Sequence, residues 1–199
     1  MSNKPLLLVV TGRPGSGKTT LAHLLAREIC CPVISRDEVK EGYCVTHNSD
    51  HTQLPSDTNR NIYEAYFDVL ATLINQQISV VAEAAFQDKL WKPKLTNLMQ
   101  SCEIRIVRCI VDPLVARKRA IERGLQNPRR ERFHRDFAVH AAKKGLDVPI
   151  GNFTPVDMDV PTLDVQTDGD YSPGLEEIYS FAMSTRIEQG AQPDAFGAG

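Results

Sequence analysis

Short apolar runs alternate with segments of helical periodicity along most of this chain. The apolar runs predict strands at residues 6–10, 33–35, 78–82, 104–111 and 161–165. Helical spacing predicts helices at about residues 18–29, 58–76, 91–99, 113–124 and 133–144, and a last helix that includes Leu175, Ile178, Tyr179 and Ala182. This order predicts an α/β fold in which a five-stranded parallel sheet is sandwiched by helices, with ligands at the carboxyl ends of the strands.

The polarity of the remaining segments predicts how the chain is divided. Residues 1–188 are expected to form a single domain, which suits a chain of 199 residues. The polar segment at residues 42–57 is interpreted as a loop, part of a cap over a site at about residues 40–60. Pro93 is expected in the first turn of its helix, and residues 189–199, rich in Gly, Ala and Pro, are expected to be a disordered tail.

A glycine-rich motif follows the first predicted strand and opens the first predicted helix. It reads Gly12-Arg13-Pro14-Gly15-Ser16-Gly17-Lys18-Thr19, is followed by Thr20, and fits the pattern G-x-x-x-x-G-K-[ST]. Glycines let the backbone N–H groups turn inward, and the helix N-terminus favours an anion. In this pattern the lysine faces the β- and γ-phosphates, and the hydroxyl after it is a ligand for Mg²⁺. The motif predicts a nucleotide phosphate site; the alternative is a glycine-rich turn with an incidental lysine.

Carboxylates follow three of the predicted strands and are expected at the same edge of the sheet. Asp37 could accept the proton of an attacking hydroxyl as a general base, or could cap the helix that starts near Glu38. Glu83 ends an apolar strand and could hold Mg²⁺ beside Thr19, or could form a structural ion pair with a Lys or Arg. Asp112 precedes a proline, which predicts a structural N-cap.

Positive charge is concentrated between residues 117 and 135. Eight Lys and Arg residues stand there against Glu122 and Glu131, whereas the formal net charge of the whole chain is -2. Phosphoryl transfer needs cations that neutralise the migrating oxygens, commonly arginines on a closing lid. A lid is therefore predicted at about residues 123–135, with Arg123, Arg129 and Arg130 as candidates and Arg123 and Arg130 chosen as catalytic. The alternative is a solvated helix face.

Composition limits the classes of partner. The net charge of -2 argues against a global preference for nucleic acid, although a local basic patch leaves it open. The five cysteines have neither zinc-site nor disulfide spacing, and no signal peptide or membrane span is recognised, so a cytoplasmic protein is expected. A monomer or a homodimer is expected.

Four segments together resemble a kinase family. The glycine motif, the segment Ile34-Ser35-Arg36-Asp37-Glu38-Val39-Lys40, the strand end Val81 to Phe86 and an arginine helix begun by Asp-Pro resemble the P-loop kinases related to zeta toxins. That group of AAA-type, nucleoside-monophosphate-kinase-like proteins includes chloramphenicol phosphotransferase, gluconate kinase and the 5′-kinase domain of polynucleotide kinases. The resemblance spans about residues 6–185.

The resemblance implies roles for individual residues. Asp37 would be the general base, Lys40 would contact the acceptor or a phosphate, and Arg117 or Arg119 would pack near adenine or phosphate. Thr167 and Asp168 would border the base. Where many relatives carry an Asp before a small residue and Thr, this chain has Glu83-Ala84-Ala85. The resemblance at this strand end therefore does not imply which acceptor the chain binds.

The leading hypothesis is an ATP-dependent kinase, with Mg²⁺, that phosphorylates a hydroxyl of a small molecule. Its acceptor pocket is expected between residue 40 and the helix after residue 57, with Tyr43, His47, His51, Arg60 and Tyr63 as candidate contacts. The alternatives are a polynucleotide 5′-hydroxyl kinase and a non-catalytic ATP-binding regulatory module. The guanine-reading motif N-K-x-D of switch GTPases is absent from the sequence.

Overall fold

A computed structural model describes residues 4–50, 53–134, 136–146 and 149–190, without the side chains of residues 129–130 and 185–190. The strands are β1 (Leu6–Thr11), β2 (Val33–Ser35), β3 (Val80–Glu83), β4 (Glu103–Ile110) and β5 (Thr162–Gln166). The helices are α1 (Lys18–Glu28), α2 (Arg36–Thr46), α3 (Thr58–Asn75), α4 (Asp88–Leu98), α5 (Pro113–Gln126), α6 (Pro128–His134), α7 (Phe137–Lys143) and α8 (Leu175–Gly190). The alternation of strands and helices confirms the predicted α/β fold.

The five strands form one parallel sheet in the order β2-β3-β1-β4-β5. Glu83 is in register with Val10 on one side and with Ser35 on the other. The chain therefore leaves β1, β2 and β3 at the same edge of the sheet. Segments that immediately follow these strands are brought together there.

Successive residues of β1 pack into two different cores, because side chains alternate across a strand. Leu7 and Val9 contact the core under α3 and α4, which includes Tyr66, Trp91 and Leu95. Leu6, Leu8 and Val10 contact the opposite core, which includes Leu21 and Leu25 of α1 and Ile178 of α8. All six residues of β1 are buried, as a strand covered on both faces requires.

The structure corrects several predicted boundaries. Helix α2 continues to Thr46, so the start of the polar segment at 42–57 is helical rather than loop. Helix α4 begins at Asp88, which places Pro93 beyond the first turn, on an exposed position where water can replace the missing backbone hydrogen bond.

The end of the chain also differs from the expectation. The segment predicted as one helix at 133–144 contains the end of α6 and all of α7, which is capped by the side chain of Asp136. Helix α8 reaches Gly190, two residues into the tail expected to be disordered, while residues 191–199 lie outside the described residues. Within the described ranges, no helix combines the length and apolarity needed to cross a bilayer.

Candidate active site

The glycine motif forms a tight loop between β1 and α1. Gly15 and Gly17 have φ angles of 82° and 81°, which favour glycine. A Cβ atom on Gly15 would lie 1.9 Å from the carbonyl oxygen of Ala116, because the loop packs directly against the first turns of α5. Both the backbone conformation and the close approach therefore require glycine at position 15.

The residues of this loop fit a phosphate group. The hydroxyl of Ser16 is buried and has no hydrogen-bond partner among the described residues. Helix α1 starts at Lys18, so its N-terminal N–H groups and the positive end of its dipole face the loop. A bound phosphate would satisfy these donors, as predicted for a nucleotide site.

Glu83 connects the glycine loop to the neighbouring strand. It is 2% exposed, accepts a hydrogen bond from Ser35 Oγ at 2.5 Å and one from Thr19 Oγ1 at 3.2 Å, and its Oε1 lies 3.6 Å from Lys18 Nζ. The alternative interpretation of Glu83, a structural ion pair, is therefore present in the structure. The adjacent carboxylate and hydroxyl oxygens are also the hard ligands that Mg²⁺ prefers, so the pair fits the predicted metal.

Asp37 lies in the first turn of α2, directly after β2. Ser35 occupies the N-cap position, so the alternative that Asp37 caps this helix is wrong. Asp37 Oδ1 lies 3.7 Å from Arg36 Nη1, and Oδ2 lies 4.0 Å from His134 Nδ1 of α6. The carboxylate is thus at the edge of the sheet that carries the glycine loop, with a cationic or polar group beside each oxygen.

A cleft of about 550 Å³ opens beside Asp37. It is lined by Arg36, Asp37, Asn59, Arg60, Tyr63, Glu64, Ala85, Gln87, Leu90 and Trp91. Three predicted site residues, Asp37, Arg60 and Tyr63, therefore come together. Its volume lies in the range of small-molecule sites, which run from roughly 300 to 1,000 Å³.

Other predicted pocket residues that the structure describes do not line this cleft. Tyr43 and His47 stack on each other one turn apart, with ring centroids 4.1 Å apart. His51 lies outside the described residues. Lys40 is 4% exposed, and burial together with the nearby charge of Arg36 lowers its pKa.

A second cavity, of about 270 Å³, also borders Gln87. Its lining includes Arg13 and Pro14 of the glycine loop, Arg117 of α5 and Asp136. Because Gln87 lines both cavities, the cleft beside Asp37 and the space beside the glycine loop are adjacent.

Comparisons with known proteins agree with this geometry. The sequence profile of the AAA_33 family, described as an AAA domain, matches residues 7–146. The chain belongs to the AAA_33 family. No curated protein sequence matches the chain.

Solved structures share the fold of this AAA_33 chain. A candidate kinase from Chloroflexus aurantiacus is 22% identical with a TM-score of 0.67, and the match covers 96% of this chain and 100% of that one. The APS kinase of Mycobacterium tuberculosis, in complex with AMPPNP and APS, is 16% identical with a TM-score of 0.58 and coverage of 96% and 100%. A gluconokinase from Sinorhizobium meliloti is 15% identical with a TM-score of 0.54 and the same coverage. These likenesses show that the chain has the fold of P-loop kinases, as the resemblance implied.

Thr167 of this AAA_33 chain contacts the glycine loop, and Arg119 contacts the segment that contains Thr167. The Thr167 hydroxyl donates to the carbonyl of Ser16 at 2.7 Å, within reach of the carbonyl of Ile110 at 3.1 Å. The guanidinium of Arg119 donates to the carbonyls of Thr167 and Asp168, each at 2.7 Å. Arg119 and Thr167 were predicted to contact the nucleotide. In the structure, the Thr167 hydroxyl binds the glycine loop, and Arg119 binds the backbone of Thr167 and Asp168.

The predicted lid corresponds to α6 and its neighbours. Arg123 is exposed in the last turn of α5 rather than in α6, and the side chains of Arg129 and Arg130 are outside the described part of the structure. Asp112 caps α5 as predicted, since its Oδ1 accepts hydrogen bonds from Leu114 N at 2.8 Å and Val115 N at 3.1 Å.

Several residues of the cleft were not predicted from the sequence. Arg36 and Asn59 are joined by a hydrogen bond of 3.1 Å, and Gln87, Leu90 and Trp91 complete the wall. Asn59 lies one turn before Tyr63 on α3, so helical phase could have indicated it. Gln87, Leu90 and Trp91 carry no such signal, because α4 meets α3 only through the fold.

Proposed function

We propose that the protein is an ATP-dependent kinase that transfers the γ-phosphoryl group to a hydroxyl of a small molecule. The observation that carries this proposal is the position of Glu83 between the two halves of the site. Its side chain contacts Lys18 and Thr19 of the glycine loop and also Ser35, two residues before Asp37. A donor phosphate site and a carboxylate able to act as a base therefore share one sheet edge.

Each residue has a distinct role in this proposal. The glycine loop and Lys18 bind the phosphates of ATP, and Thr19 with Glu83 holds Mg²⁺, which supplies charge neutralisation when bound. Asp37 accepts the proton of the acceptor hydroxyl as its oxygen forms a bond to the γ-phosphorus. The bond from that phosphorus to the β–γ bridging oxygen breaks, and ADP leaves.

The walls of the cleft favour a particular kind of acceptor. Arg36 and Arg60 can face an anionic group, while Tyr63, Leu90 and Trp91 offer apolar surface. Tyr63 and Trp91 are packed edge to face, with centroids 5.0 Å apart, so the two rings support each other in the cleft wall. We therefore expect a small acceptor with a hydroxyl near Asp37, an acidic group and an apolar part.

The test is a search for phosphorylated products. The protein is incubated with Mg-ATP and pooled hydroxylated metabolites, including carboxylated and phosphorylated compounds, and products are detected by a mass increase. A second incubation offers a 5′-hydroxyl oligonucleotide, and a product there would favour the polynucleotide kinase. ATP binding with no product in either incubation would refute the kinase and favour a regulatory module.

Two substitutions test the assigned roles. Lys18→Ala should abolish transfer, because the phosphates lose their point counter-charge. Asp37→Asn should leave ATP binding near normal and lower transfer by roughly 100-fold or more, as for loss of a general base. Asp68→Asn, on an exposed position of α3, is the matched control and should match the unmodified protein. Full transfer by Asp37→Asn would show that Asp37 is not the base.

A further inference from the structure

Among the described side chains, a nearly buried histidine connects helix α6 to α2. His134, at the end of α6, has a side chain that is 12% exposed. Its Nε2 lies 2.7 Å from Glu41 Oε1, and its Nδ1 lies 4.0 Å from Asp37 Oδ2. Asp37 and Glu41 are one turn apart on α2, so the imidazole faces both carboxylates at once.

The hydrogen bond to Glu41 sets the orientation of the imidazole ring. A carboxylate accepts hydrogen bonds, so Nε2 carries the proton that points at Glu41. When one ring nitrogen is held in this way, the position of the other is determined as well. Here the other nitrogen is Nδ1, and it faces the carboxylate to which the base role is assigned.

Docking through this histidine has consequences for two parts of the site. Carboxylates one turn apart on a helix repel each other, and the hydrogen bond from the imidazole to Glu41 holds one of these two in place. The same contact holds α6, the helix whose sequence includes Arg129 and Arg130, beside the cleft that contains Asp37.

We propose that His134 is a positioning residue that docks α6 on α2 through Glu41 and orients Asp37 for proton transfer. This inference rests on the proposed function for the role of Asp37, whereas the docking contact does not depend on it. No sequence pattern indicates this role for His134, because α6 and α2 are distant along the chain.

The docking is tested by hydrogen exchange of the full-length protein, followed by mass spectrometry of peptides that cover α6. His134→Ala should speed amide exchange in α6 by about tenfold or more, the effect of losing a hydrogen bond to a charged group. His134→Gln retains an amide N–H that can reach Glu41 and should restore protection. His140→Ala, on an exposed position of α7, is the control. Unchanged exchange in His134→Ala would overturn the docking role.

The coupling to Asp37 is tested by turnover, with water as the acceptor and ADP release as the signal. His134→Ala should lower kcat by about 10- to 100-fold and leave KM for ATP near that of the unmodified protein. The double variant with Asp37→Asn should be no slower than Asp37→Asn alone, since His134 acts through that carboxylate. Normal turnover in His134→Ala, or an additive loss in the double variant, would overturn the coupling.

The two proposals can fail separately. If the unmodified protein transfers phosphate neither to water nor to any pooled acceptor, the proposed function is wrong, and the exchange of α6 still decides the docking role. If the unmodified protein is active and His134→Ala equals it, only the inference about His134 is wrong.

Discussion

Replacing Gly15 with alanine tests how tightly the glycine loop is built into the fold. The residue has φ = 82°, and a Cβ atom there would lie 1.9 Å from the carbonyl oxygen of Ala116. A carbon and an oxygen in contact are about 3.3 Å or more apart, so backbone atoms would have to shift by more than about 1 Å. Gly15→Ala therefore combines an unfavourable backbone conformation with a steric clash.

Two other glycines separate these effects. Gly17 has φ = 81°, but a Cβ atom there would meet only Thr167 Cβ at 4.0 Å. Gly17→Ala should thus lose about 1–2 kcal/mol from the left-handed conformation alone. In Gly15→Ala, overpacking adds about 1–3 kcal/mol, which gives about 2–5 kcal/mol in total. Gly42→Ala, within α2 and without neighbours within 4 Å, should gain about 0.5–1 kcal/mol from helix propensity.

Urea and thermal unfolding of the three variants measure these differences. For a chain of this size, the loss in Gly15→Ala corresponds to a fall in Tm of about 10 °C. If Gly15→Ala and Gly17→Ala unfold at the same urea concentration, the carbonyl of Ala116 does not restrict the loop. A loss of stability in Gly42→Ala would show that general effects of substitution outweigh the geometry.

Two further predictions concern buried charges. Burial lowers the pKa of Lys40 in the folded protein below its ordinary value of 10.5. Between the folded and the unfolded pKa, the unfolded chain binds more protons than the folded one. The contribution of Lys40 to the free energy of unfolding therefore rises with pH through that interval. Lys40→Met should raise the free energy of unfolding by about 1 kcal/mol at pH 7, with a smaller gain towards pH 10. An equal gain at both pH values would show that the charge of buried Lys40 is not the cause. Arg105 is 3% exposed, pairs with Glu103 at 2.6 Å and also donates to the carbonyl of Phe181 on α8. Arg105→Ala should lower the free energy of unfolding, measured by urea unfolding, by about 3 kcal/mol. The more exposed Arg108→Ala should lower it by about 1 kcal/mol or less. Equal losses in the two arginine variants would show that burial of Arg105 is not the cause.

The local sequence predicted the parts of this protein that depend on near neighbours in the chain. The apolar runs predicted all five strands, and in the central strands β1 and β3 the run is continuous because every position is buried between two helix layers. The glycine motif predicted the loop, because φ angles near 80° at Gly15 and Gly17 favour glycine. Asp112 was predicted as a cap because the capping interaction is made within one turn.

Only the tertiary structure decided which distant residues meet. Glu83 was predicted at the right edge of the sheet, but its contacts with Ser35 and Lys18 depend on the strand order. The apolar wall of the cleft comes from α3 and α4, and His134 reaches Asp37 only because α6 packs on α2. The periodicity of apolar residues indicates burial and local geometry. It does not indicate which side chains on separate strands and helices come into contact.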